Sequence, residues 1–232
     1  MFAALSPEET TALILSLKVS LWAMLASLPL GILAAYALAR WRFPGHGLLN
    51  GLVHLPLILP PVVTGYLLLL AFGRQGWIGA PLWDWFGLTF AFRWTGAALA
   101  AAVMAFPLMV RAIRLAIEAV DPKLEQAAAT LGAARPVVFL TVTLPLILPG
   151  IIAGAILAFA KAMGEFGATI TFVANIPGQT QTLPTAIYSF LQVPGGDAAA
   201  WRLVLISVAV ALLALALSEW LSRRVAARIA GR

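Results

Sequence analysis

The side chains that could do covalent chemistry are few and widely spaced in this sequence. There is no cysteine, which excludes thiolate chemistry, disulfides and a Cys-based metal site. The two histidines, His46 and His54, have no further ligand nearby in sequence, so no metal site is predicted. None of the three lysines follows a glycine, so the Gly-Lys-Ser/Thr of an ATP-binding P-loop is missing. No paired acids or nucleophile–base pair is evident, and the pattern predicts no catalytic residue and no enzyme.

One charged pair could act on a solute. Lys161 and Glu165 are four residues apart, the spacing that places two side chains on one helix face. They follow a long apolar run, and an ionised group near bilayer depth is a candidate functional residue. The alternative, which the spacing favours, is a mutual ion pair that neutralises both groups.

A proline pair interrupts another apolar run. Pro60 and Pro61 free backbone carbonyls, which nearby hydroxyls such as Thr64 can satisfy, and such breaks often border a solute pathway. Packing of small residues between helices is the other interpretation, and both stay open. The residues predicted for a translocation pathway are Pro60, Pro61, Thr64, Gly65, Lys161, Gly164, Glu165, Phe166 and Gly167.

The elements that must position these residues are membrane helices. Apolar residues make up 62% of the chain and charged residues 10%, against about 45–50% and about 25% in soluble domains. The net charge of +6 lies in short loops between apolar runs, so no nucleic-acid partner is predicted. The uncharged runs lie between residues 18 and 40, 42 and 74, 93 and 111, 135 and 161, and 202 and 219. Their lengths predict an all-α bundle of about five spans in one domain, residues 1–232.

The positive charges predict how this bundle is oriented. With five spans, ten of the fifteen cations fall in the loops and tail of one side, which indicates an outside N-terminus and a cytoplasmic C-terminus. A sixth span between residues 166 and 196 would move the basic tail outside, and Pro and Gly interrupt that segment. We therefore expect residues 166–200 to be an external or re-entrant segment with a short helix over about residues 185–192.

The longest cytoplasmic loop, residues 111–135, should contain a short helix of its own within residues 121–135. Asp121 is a suitable cap, Pro122 a suitable first residue and Gly132 a suitable stop. Three successive alanines, residues 127–129, would let the surface of another protein come close. A solvated connector helix is the alternative on physical grounds alone.

This loop resembles the EAA loop of permease subunits of bacterial ABC importers. The pattern is Gln126-Ala127-Ala128-x-x-Leu131-Gly132, then eleven residues, then Leu144-Pro145, with Gln126 where the family usually has Glu. The resemblance implies a coupling helix that docks on a cytoplasmic ATPase. It assigns that coupling role to Glu125, Gln126, Ala127, Ala128, Leu131, Gly132 and Pro145.

Further segments resemble molybdate permeases, namely residues 54–69, 89–92, 106–114 and 164–172. The resemblance implies a permease that carries molybdate, or tungstate, into the cytoplasm by alternating access. The Gly-Glu-Phe-Gly element at residues 164–167 also resembles sulfate permeases, so sulfate or another oxyanion is an alternative. A further alternative is a secondary transporter or channel that does not depend on ATP.

The resemblance also implies the assembly. The chain would pair with a second copy of itself, two ATPase subunits that carry ATP and magnesium, and a periplasmic molybdate-binding protein. It would lie in the lipid of a bacterial inner membrane as a multi-pass protein and bind no cofactor itself.

Overall fold

The structure is a computed structural model that describes residues 5–229, with side chains to residue 224, and this part of the chain is helical without strands. The helices are α1 (Pro7–Arg40), α2 (His46–Ile58), α3 (Pro61–Phe72), α4 (Gly79–Phe86), α5 (Trp94–Glu118), α6 (Pro122–Thr130), α7 (Arg135–Val138), the π-helix π1 (Phe139–Thr143), α8 (Leu144–Met163), α9 (Gly167–Val173), α10 (Leu183–Leu191) and α11 (Asp197–Ile229).

Four stretches of the described chain are long and apolar enough to cross a membrane. They are α1, α5, the continuous run from α7 through π1 to α8, and α11. The pair α2 and α3 passes the same test together and makes a fifth if it is one span. The prediction of an all-α bundle of about five spans is therefore confirmed.

The second predicted span is broken. Its two helices, α2 and α3, meet at an angle of 116°. Leu59 and Pro60 between them have extended backbone, with ψ of 141° and 134°. The ring of Pro61 disfavours helical backbone at Pro60, and neither proline donates a backbone hydrogen bond, so the helix cannot continue through this pair.

The first helix begins earlier than the charge pattern indicated. Ser6 caps α1: its hydroxyl accepts a hydrogen bond from Glu9 N at 3.2 Å, and the Glu9 carboxylate accepts one from Ser6 N at 2.6 Å. This capping box, with Pro7 as first residue, starts α1 eleven residues before Lys18. At 1.5 Å per residue, α1 is about 50 Å long and exceeds the roughly 30 Å of a bilayer core.

The core forms where α5 lies between α1 and α8. Met109 and Ile113 of α5 are fully buried there. Gly154 of α8 approaches so closely that a Cβ on it would lie 3.1 Å from the Met109 carbonyl oxygen and from Ile113. Small residues therefore set the separation of these helices, as is usual for helix packing in membranes.

A second, smaller cluster closes the other end of the bundle. Ala12 of α1, Met163 of α8, Leu183 and Ala186 of α10 and Leu203 of α11 are buried together. With seven and nine residues, α9 and α10 are both too short to span, and α10 occupies the place predicted for a short helix. The placement of residues 166–200 outside or within the bilayer stays a prediction.

Candidate functional site

A short helix, α6, lies in the loop where one was predicted. Asp121 caps it by accepting a hydrogen bond from Lys123 N at 2.9 Å, and Pro122 is its first residue. It ends at Thr130, and Gly132 follows with φ +86°, a backbone conformation that glycine adopts without strain. The cap at Asp121, the first helical residue Pro122 and the stop at Gly132 therefore all lie where the sequence predicted them.

The face of α6 that is turned away from the bundle carries apolar side chains. Leu124 is 49% exposed, and Leu131, just after the helix, is 89% exposed. Ala127 lies between them in the helical register and is also exposed, as is Gln126. An exposed leucine pair on a short charged loop is a surface suited to another protein.

The opposite face of α6 contacts the rest of the chain through Glu125. Its Oε1 atom accepts a hydrogen bond from the Thr143 hydroxyl at 2.7 Å and lies 3.6 Å from Arg40 Nη2. Arg40 Nη2 also donates to the Val120 carbonyl at 3.0 Å. Glu125 is therefore a junction between α6, the end of α1 and the end of π1, which sequence analysis did not predict.

A cleft of about 800 Å³ separates α6 from α1 beside this junction. Its lining includes Tyr36, Arg40, Trp41, Glu125, Gln126 and Arg135. Ala128 also lies on α6, and Pro145, the last residue predicted for coupling, lies in the first turn of α8 directly after π1. The structure thus assembles most of the predicted coupling residues on α6 and places Pro145 at the start of the adjoining span.

The predicted pathway residues gather at a seam between α3 and α9. A Cβ on Gly65 would lie 2.5 Å from the Ala168 carbonyl oxygen and 2.9 Å from Ala168 Cα. A Cβ on Gly167 would lie 2.8 Å from Pro61 Cβ. Glycines on both sides therefore allow the two short helices to touch backbone to backbone, which confirms neither pathway nor packing as their role.

Thr64 lies at the same seam and is buried. Its Oγ1 atom has no hydrogen-bond partner among the described residues. Leaving a buried hydroxyl unpaired is costly, by about 1–3 kcal/mol. Phe166, also predicted for the pathway, packs against Tyr188 of α10 with ring centroids 5.4 Å apart.

Lys161 and Glu165 form the ion pair that their spacing favoured. Lys161 Nζ lies 2.7 Å from Glu165 Oε2, and the Glu165 side chain is 2% exposed against 32% for Lys161. The expectation that both share one helix face was wrong, because α8 ends at Met163 and Gly164 turns the chain. Glu165 instead lies beyond the helix and its Oε1 accepts a hydrogen bond from Ala168 N at 3.1 Å.

Metal ligands do not cluster in the described residues, where no group of three or more His, Asp or Glu side chains is close enough to hold an ion. His46 Nε2 is 3.0 Å from the Leu38 carbonyl, and His54 Nδ1 is 2.9 Å from the Asn50 carbonyl. His46 therefore contacts the last turn of α1, whereas His54 contacts the preceding turn of its own helix, α2.

Comparison with known proteins gives close relatives. The family model described as "Binding-protein-dependent transport system inner membrane component" matches residues 27–227. The molybdenum transport system permease protein ModB of Escherichia coli (strain K12) is 64% identical over 219 residues, 94% of this chain and 96% of that protein. ModB of Haemophilus influenzae is 59% identical over 216 residues, 93% of this chain and 94% of that protein.

A solved structure supports the same fold. In the crystal structure of a bacterial ABC transporter involved in the import of the acidic polysaccharide alginate, one chain matches with a TM-score of 0.73 at 21% identity. The match covers 94% of this chain and 80% of that chain. At this identity the likeness concerns the arrangement of helices alone.

Proposed function

This chain belongs to the family of binding-protein-dependent transport system inner membrane components, and on that premise we propose that it is the permease subunit of an ATP-driven molybdate importer. Two copies would form the path across the inner membrane, with two ATPase subunits below and a periplasmic molybdate-binding protein above. The substrate assignment is supported by the two ModB relatives, which match over almost their whole length.

The observation that carries the coupling role is the exposed apolar face of α6. Leu124 is 49% exposed and Leu131 89% exposed on a loop that is otherwise largely polar, and a groove on an ATPase would cover them. ATP and magnesium belong on that partner, because this sequence has no P-loop. Closure of the two ATPases would move the α6 helices and shift the spans between inward-open and outward-open arrangements.

We further propose that the seam between α3 and α9 borders the path of the anion. The short helices meet at Gly65 and Gly167, where the missing side chains leave room for Thr171 of α9 and Pro61 of α3. Thr64, with its unpaired hydroxyl, offers a hydrogen bond to a passing oxyanion. Lys161 and Glu165 hold the end of this seam, and their mutual neutralisation keeps the attraction for an anion weak, as release requires.

Reconstitution tests the proposal. The permease is co-expressed with its ATPase, purified, and placed in vesicles with the molybdate-binding protein on the side of the N-terminus. We expect molybdate uptake that requires ATP hydrolysis, is inhibited by tungstate and is unaffected by sulfate. A non-hydrolysable ATP analogue is the control. Uptake without the ATPase would overturn the proposal, and stimulation by sulfate with its own binding protein would reassign the substrate.

A further inference from the structure

We infer that Glu125 is a positioning residue that passes the movement of α6 into two membrane spans, and that it is not a contact to the ATPase. This inference rests on the proposed coupling role of α6. Glu125 lies on the side of α6 that faces the bundle, where it is half-buried and contacts Arg40 and Thr143. Leu124, Ala127 and Leu131 are exposed on another side of the helix.

The three residues Arg40, Glu125 and Thr143, called the α6 junction below, connect elements that are far apart in the chain. Arg40 is the last residue of α1, and Thr143 is the last residue of π1, where α8 begins. The Thr143 side chain is almost fully buried, so its hydroxyl is held in place. A displacement of α6 therefore acts on the cytoplasmic ends of α1 and α8 together, through one carboxylate.

The contact between Arg40 and Glu125 has room for a second arrangement. Nη2 of Arg40 lies 3.6 Å from the carboxylate, and that same atom also donates to the Val120 carbonyl. Arg40 Nε is buried with no hydrogen-bond partner among the described residues. Because a guanidinium and a carboxylate favour two parallel hydrogen bonds, a shift of α6 toward α1 would let Glu125 engage Nε as well.

The backbone at Thr143 is also suited to a change of shape. π1 is a five-residue stretch of the wider helix type, set between two α-helical stretches of one span. Such insertions are rare and often mark functional sites. A pull on Thr143 by Glu125 acts on the end of this stretch, where the helix returns to α geometry. The α6 junction therefore joins Arg40, which can form a second hydrogen bond to Glu125, to π1, which can change its helix type. A two-state element requires such alternative arrangements.

The test separates docking from transmission. The full complex with Glu125→Ala should co-purify with the ATPase in the wild-type ratio, while molybdate transported per ATP hydrolysed falls roughly tenfold, because a hydrogen bond and ion pair to a charged group are lost. Thr143→Val removes the hydroxyl at almost constant volume and should lower the same ratio roughly threefold. The double variant should be no worse than Glu125→Ala, because both changes break one connection.

Two controls fix the interpretation. Glu118→Ala removes an acid that pairs with Arg114 at 2.7 Å within α5 and should leave transport per ATP unchanged. Leu131→Asp alters the exposed face and should reduce co-purification of the ATPase. If Glu125→Ala does not accumulate in the membrane, Thr143→Val decides alone.

Loss of ATPase co-purification in Glu125→Ala, or wild-type transport per ATP in both Glu125→Ala and Thr143→Val, would overturn the inference. Either result leaves the proposed function intact when the wild-type complex transports molybdate with ATP. The proposed function fails separately, if the wild-type permease neither co-purifies with an ATPase nor needs one for uptake.

Discussion

Gly132 sets the direction in which the chain leaves α6. Its φ of +86° lies in the left-handed region, and a Cβ placed on it would meet no atom within 4 Å. Space is therefore available for a side chain, and the constraint at this position comes from the backbone alone. The glycine directs the chain from α6 toward α7 and so sets the orientation of α6 relative to the following helix.

We predict that Gly132→Val lowers ATP-dependent molybdate uptake several-fold while membrane insertion is retained. A β-branched residue in the left-handed region costs about 1–2 kcal/mol, which the loop can relieve by reorienting α6. Gly132→Asn is the matched control, since asparagine tolerates this conformation and should keep most of the uptake. Equal uptake by the valine variant and the wild type would show that the direction of α6 does not matter.

At the scale of elements, one six-residue sequence adopts two structures. Leu-Pro-Leu-Ile-Leu-Pro occurs at residues 55–60 and again at residues 144–149. The first copy ends α2 at a sharp bend, and the second runs on within α8. The residue that follows explains the difference, because Pro61 removes a second backbone donor and restricts Pro60, whereas Gly150 does neither.

The contact between α3 and α9 yields a prediction about packing. Gly65→Ala should lower the unfolding midpoint of the purified complex and reduce uptake, since its Cβ would lie 2.5 Å from a backbone oxygen of Ala168 that cannot move aside. Overpacking of this kind costs about 1–3 kcal/mol. Gly51→Ala on α2 is the control, because its Cβ would meet nothing within 4 Å. A Gly65→Ala complex as stable and active as the control would mean that the seam is loose.

At the scale of the whole molecule, an ion pair joins the first turn of α1 to the start of α11. Arg202 Nη2 lies 2.8 Å from Glu9 Oε1, and the Glu9 side chain is fully buried while Arg202 is about one-third exposed. Glu9 thus serves twice, as part of the capping box of α1 and as the partner of Arg202. The pair joins the first turn of α1 to the start of α11, two of the four helices that form the small cluster of α1, α8, α10 and α11.

We predict that Arg202→Met lowers the unfolding midpoint clearly, because it leaves the Glu9 carboxylate buried without its cation. The decrease in the free energy of unfolding should be smaller than the ~3–5 kcal/mol found when a fully buried pair is broken, since Arg202 is partly solvated. Adding Glu9→Gln should recover part of the stability. Glu219→Ala breaks the exposed pair with Arg223 and should change the midpoint little. An unfolding midpoint for Arg202→Met equal to that of the Glu219→Ala control would show that the ion pair between Glu9 and Arg202 does not stabilise the protein.

The sequence by itself determined the class of the protein. The number of spans, the caps of α6 and the turn at Gly132 are local properties, since burial in lipid, helix capping and left-handed backbone each depend on a few neighbouring residues. The resemblance to molybdate permeases was local in the same way, being carried by short motifs, and the comparisons bear it out. These features could be predicted because no distant contact was needed to fix them.

Only the tertiary structure decided which distant residues meet. Arg40 and Val120 are 80 positions apart, and Glu125 and Thr143 are 18 apart on different helices. The approach of Gly65 to Ala168 and the pairing of Glu9 with Arg202 likewise depend on how whole helices pack. No periodicity or spacing encodes such pairs, because the energy that selects them arises between surfaces that exist only after the helices have formed.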